Sequence, residues 1–148
     1  MVSNLIGQDK GEHIFDLLKK TIYLNYIIVI PLILFTFLIP TEILSIFTNN
    51  HGLIAGSVDS LRILTFTVLA VVMGEVYINA VYGTGATTAA FLIEFIQTLF
   101  ILVFVYAVVF IFSLSFEFIW LSEGISAIIC ISLSYILLKR HKWDLIDV

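Results

Sequence analysis

The chain has 148 residues, 61% of them hydrophobic and 12% charged. A soluble domain is roughly 45–50% apolar and about 25% charged, and a fold this small has too little interior to hide the excess. The formal charge of −4 and the single Cys130 give no case for nucleic acid, another polyion or an internal disulfide. The natural solvent is a lipid bilayer.

Residues 1–20, "MVSNLIGQDKGEHIFDLLKK", form the only polar stretch of any length. Leu5, Ile6, Ile14, Phe15, Leu17 and Leu18 give them a broken apolar face, which predicts an amphipathic lead-in lying at the membrane surface. The first apolar run starts late, is too long for a signal core and lacks a small-residue cleavage site, which argues against a cleaved signal peptide.

Crossing a hydrocarbon core of about 30 Å takes about 20 helical residues. Four stretches qualify: 21–40, 60–82, 88–113 and 118–138. Helices are the expected solution, because lipid offers no partner to an unpaired backbone group. Runs such as "FILVFVYAVVFIF" have no period of two, so a barrel is not expected. The fold class is an all-α integral membrane protein, an antiparallel bundle of four transmembrane helices. Pro31 removes one backbone donor and is expected to kink the first helix. Residues 41–59 and 114–117 are expected as loops. The stretch "GTGATT" joins the second helix to the third, with Gly83 and Gly85 supplying a tight left-handed turn. Residues 139–148 form a basic tail in which Trp143 is expected to anchor at the interface.

Six of the seven Lys and Arg residues lie at the two ends: Lys10, Lys19, Lys20, Lys139, Arg140 and Lys142, leaving only Arg62 elsewhere. The excess of positive charge stays in the cytoplasm. An inner (cytoplasmic) membrane location with both termini cytoplasmic is therefore expected.

The short turn makes the second and third helices antiparallel neighbours in this reading. Glu75 precedes Thr84 by nine residues and Glu94 follows it by ten. At ~1.5 Å per residue both lie about 14–15 Å from the turn, near mid-membrane. Asn79 and Tyr82 continue the line of Glu75, while Gln97 and Thr98 continue that of Glu94. An ionised carboxylate there costs about 2.5–3.5 kcal/mol on insertion scales. It must stay protonated or find a cation or donors. Glu75, Asn79, Glu94, Gln97 and Glu123 are accordingly the candidates for binding a coupling Na+ or H+, or a substrate. The alternative is a neutral glutamic acid that glues helices together. Phe66, Tyr77, Tyr82, Phe95, Phe104 and Tyr106 are candidates for stacking on an organic cation, or plain packing. His13, His51 and His141 share no ligand spacing, so no metal site is expected. With no nucleophile–base constellation in view, the chain is not expected to be an enzyme.

The segments "IPTEILSIFTNNHGLIAGSVDSLRI", "NAVYGTGATTAAFLIEF" and "IWLSEGISAIICISLSYILLKRHKW" resemble the multidrug and toxic compound extrusion (MATE) transporters, over about residues 36–143. "VSNLIGQDKGE" is similar to the cytoplasmic segment after that family's eighth helix. The resemblance implies a two-lobed helical antiporter that expels organic cations or other amphipathic drugs against Na+ or H+, with no other cofactor. It aligns the four helices with the ninth to twelfth of the family's twelve. The family's acidic residue in the tenth helix falls near Val71 here, one turn from Glu75. Glu94 and Glu123 match the glutamates of the family's "I-E" and "W-x-S-E" pieces. Four helices lack the rest of such a transporter, so the chain is expected to be a fragment not active alone, and the implied partners are the lipid bilayer, the substrate, and the remainder of the transporter or a homodimer partner. An autonomous dimeric four-helix exporter and a non-transporting membrane remnant are the alternatives. The dimeric exporters normally carry a carboxylate in the first helix, and residues 21–40 have none.

Overall fold

A computed structural model of the chain describes residues 1–140. His141, Lys142 and Trp143, with the rest of the tail, lie outside the described residues. Those described fold into α1 (Val2–Ile6), α2 (Ile14–Leu38), α3 (Pro40–Ser45), α4 (His51–Gly83), α5 (Thr87–Tyr106) and α6 (Leu121–Arg140). Among them there is no strand. Four helical stretches are long and apolar enough to cross a membrane: Gly11–Leu38, His51–Gly83, Thr87–Ile111 and Phe116–Arg140.

The helices differ from the sequence expectation mainly at their ends. The polar lead-in is not one surface helix. Its second half, from Ile14, is the start of α2, where Ile14 and Leu18 are buried in the central cluster that also holds Leu138 and Val81. α2 runs through Pro31 without a break. Residues 41–59 are largely helical rather than a loop. Pro40 opens α3 at the first helical position, where its missing N–H is no loss. Asn50 then caps α4, its Oδ1 accepting hydrogen bonds from Gly52 N at 2.9 Å and Leu53 N at 3.2 Å. α4 therefore begins at residue 51 and not at 60. Its 33 residues span about 50 Å, well beyond the ~30 Å of hydrocarbon. The extra turns carry polar side chains, among them His51, Ser57 and Asp59. Asp59 pairs with Arg62 at 3.7 Å, and the Arg62 guanidinium lies 5.8 Å from the centre of the Phe37 ring.

α5 continues into a wider π turn, Ala107–Ile111, in which Phe112 N donates to Ala107 O at 2.9 Å. Ser113 is left-handed, with φ 48°, and ends the helix. A 3-10 stretch, Phe116–Trp120, leads into α6.

The expected pairing of neighbours changes most. α4 and α5 meet chiefly near their turn. α6 packs along both of them and stands between. The α4–α6 contact is built from small residues, as helix contacts in lipid commonly are. A Cβ on Gly124 would lie 3.0 Å from Thr67 Cγ2, whereas one on Gly74 would meet Ala127 Cβ at an ordinary 3.6 Å. On the α6 side, Ser122, Ser126, Cys130 and Ser134 are all buried. α2 joins the bundle through α4, where Tyr26 Oη donates to the Leu69 carbonyl at 2.9 Å. Beyond Leu18 no described residue of α2 is buried, and its sides are large apolar groups suited to lipid or to other helices.

The two glycines of this contact give opposite expectations. Gly124→Leu forces a branched chain into Thr67 and is expected to destabilise the protein by about 1–3 kcal/mol. Gly74→Ala fits the available space and is expected to change stability by about 1 kcal/mol or less. Thermal unfolding of the detergent-solubilised protein, followed by circular dichroism, separates the two. Equal losses would show that the close approach at Gly124 is not what holds α4 on α6.

Candidate functional site

Glu75 occupies the exposed side of α4, next to Gly74, whose other side faces α6. Asn79, one turn on, donates from Nδ2 to the Glu75 carbonyl at 2.7 Å and approaches Glu75 Oε2 at 3.5 Å. The carboxylate thus has one weak side-chain donor. It borders two separate spaces.

The larger space is a cleft of ≈ 550 Å³ between α2 and α4, within the ~300–1,000 Å³ usual for small-molecule sites. Its walls are apolar, from residues such as Leu17, Val29, Val72 and Val76, and its polar groups include Thr21, Asn25, Glu75 and Asn79. The smaller space, ≈ 70 Å³, brings Glu75 of α4 together with Gln97 of α5 and Glu123, Ser126 and Cys130 of α6. A void of that size has room for a water molecule or a small ion, not for an organic molecule.

Glu94 is not part of this group. Its Oε2 accepts a hydrogen bond from Tyr82 Oη at 2.7 Å, which ties α4 to α5 across their turn. Equal distance from the turn therefore does not bring Glu75 and Glu94 into one site. The helix between them supplies Glu123 as the second carboxyl instead. Ser126 and Cys130 were not anticipated, although the buried line of Ser122, Ser126, Cys130 and Ser134 at a spacing of four is visible in the sequence. Among the described residues no cation pairs with Glu75, Glu94 or Glu123; the ion pairs are His13–Glu12 and Arg62–Asp59.

The aromatic candidates stand apart from both spaces. Tyr77 packs edge-on to Tyr135, which meets Phe15 in the same way, a contact among α2, α4 and α6. Phe66, Phe95 and Tyr106 are exposed on the outer surface. The two turn glycines have different roles. Gly85 has φ 84°, a backbone state that glycine adopts without strain. Gly83 is the last helical residue of α4, and a Cβ there would lie 2.8 Å from Val2 Cβ. Its lack of a side chain serves contact with α1, not the turn.

The arrangement holds one carboxylate between an apolar cleft and a small polar void, with two amides, Asn79 and Gln97, beside it. Such a group can compensate a positive charge in either space. No match is found among curated proteins or among solved structures. A family model, MatE, matches residues 1–109 of the 148, a span that includes α1 to α5. The chain therefore belongs to the MatE family of membrane transporters.

Proposed function

We propose that the chain serves a cation-coupled exporter of organic cations, with Glu75 as the residue shared by substrate and coupling ion. The observation that carries this reading is the position of Glu75 on both spaces. A bulky apolar cation fits the cleft, where hydrophobic walls favour its body and the carboxylate its charge. Na+ or a proton fits the small void with Glu123 and Gln97. Both ligands neutralise the same carboxylate, so occupancy of one site weakens the other. That mutual exclusion is the requirement for antiport. The exposed apolar sides of α2 and α5 support assembly with further helices, from the remainder of a transporter or from a second copy. Lys10, Lys19, Lys20, Lys139 and Arg140 support a cytoplasmic location for the end that carries the α4–α5 turn.

Ethidium binding to the protein in lipid nanodiscs tests the shared carboxylate. Glu75→Gln is expected to weaken binding about tenfold or more, equivalent to ~1.4 kcal/mol, with Glu42→Gln on the exposed α3 helix as an unaffected control. In the unmodified protein either added Na+ or a lower pH is expected to displace the dye, because each occupies the same carboxyls. Glu123→Gln is expected to blunt that displacement while leaving most of the dye affinity. Dye binding indifferent to both Na+ and pH, or unchanged in Glu75→Gln, would sink the reading.

Orientation is tested in a Cys130→Ala background. A cysteine at Asn49 is expected to react with an impermeant maleimide added to intact cells, and one at Thr88 only after the cells are opened. The reverse pattern would invert the topology.

A further inference from the structure

At its turn end the cleft between α2 and α4 is lined by α1. Met1 and Val2 are part of its lining, beside Gly83 and Ala80. Val2 is only 8% exposed. It fills the space that a side chain on Gly83 would need, since a Cβ there would stand 2.8 Å from its own. Val2 belongs to the same buried cluster as Ile14, Leu18, Ile78 and Val81.

Among the described residues, the contacts that hold α1 there are apolar. Among the described residues, no side-chain hydrogen bond or ion pair links residues 1–6 to α2 or α4. Its five residues are too few for a helix to be stable by itself. Between it and α2 the chain reverses in a tight turn. Lys10 N donates to Leu5 O at 2.8 Å and Asp9 N to Ile6 O at 3.0 Å, with Asp9 in the left-handed region at φ 55°, a sparsely populated state for a residue with a side chain. An element of five residues, seated by Val2 with Leu5 and Ile6 half-buried against the same cluster and joined through such a turn, belongs to the low-stability end of a structure, where local opening is cheapest.

We propose that α1 is a flap over the turn-end mouth of the cleft, seated by Val2 on Gly83, and that unseating it admits water and solutes to the cleft wall. Its meaning for transport rests on the cation-binding reading of the cleft, whereas its movement is measurable with no cation present, so either can fail alone. The reporter is a cysteine replacing Val76, which lines the cleft, in a Cys130→Ala background in nanodiscs, reacted with a water-soluble maleimide. Gly83→Leu takes the seat from the α4 side and Val2→Ser weakens it from the flap side. Each is expected to speed labelling of the Val76→Cys reporter about tenfold by shifting the population toward the open state. A control cysteine at Leu99, on the exposed side of α5, is expected to react at an unchanged rate. If Gly83→Leu does not fold, as judged by its elution profile, Val2→Ser decides the question. Unchanged labelling of Val76→Cys in folded variants overturns the flap. So does equal acceleration at Leu99→Cys, which would signify general loosening.

Discussion

The contact of Gly124 with Thr67 is the constraint on which the rest of the bundle depends. Because no side chain stands on Gly124, the backbones of α4 and α6 come close enough for Gly74 to meet Ala127 and for Cys130 Sγ to reach within 3.9 Å of the Gly74 carbonyl. Dispersion and close packing must supply such association, since lipid chains are as apolar as the side chains they replace. That approach draws α6 between α4 and α5. It carries Glu123 to the side of Glu75, and it leaves Glu94 to a separate partner on α4.

Three acidic groups in an apolar chain thus have three different environments. Glu94 has a phenolic donor at 2.7 Å and its energetic need is met locally. Glu123 faces a small void and Glu75 faces both that void and an apolar cleft. The distinction separates a carboxyl that braces two helices from one whose compensation is left to whatever enters. Chemistry alone, a glutamate in the middle of an apolar helix, makes no such separation.

How much of this was legible follows from what each signal measures. The four apolar stretches are long, nearly free of charge and unambiguous, so the existence of four membrane-length helices could be read directly. Their ends could not. Residues 51–59 include His51, Ser57 and Asp59, and such polar groups suit a loop, although the backbone here is helical under the Asn50 cap. Helix order was also opaque. A tight turn fixes which helices are consecutive, and the sequence gives no distance between them further from the turn. The repeat of small residues from Ser122 to Ser134 did mark a helix with a closely packed side. Read that way, it would have placed α6 at the centre and Glu123 beside Glu75. Gly83 and Gly85 illustrate the same limit. Both suit a turn, but only the backbone angles and the position of Val2 tell a hinge from a seat.

The length of α4 has a mechanical corollary. Gly74 lies 23 residues from His51, counting 74 minus 51, or about 35 Å along the axis. With α6 holding α4 through Gly124 on Thr67 and Ala127 on Gly74, a tilt about the second contact makes that distance a lever arm, one that carries α3 and Phe116–Trp120, both packed on α4, along with it. A tilt of about 10° at the fulcrum swings the His51 end through ~6 Å, while Glu75, beside the pivot, shifts by only a fraction of an ångström. Reshaping the far end of the molecule and holding the carboxylate still are therefore compatible in a single rigid rod.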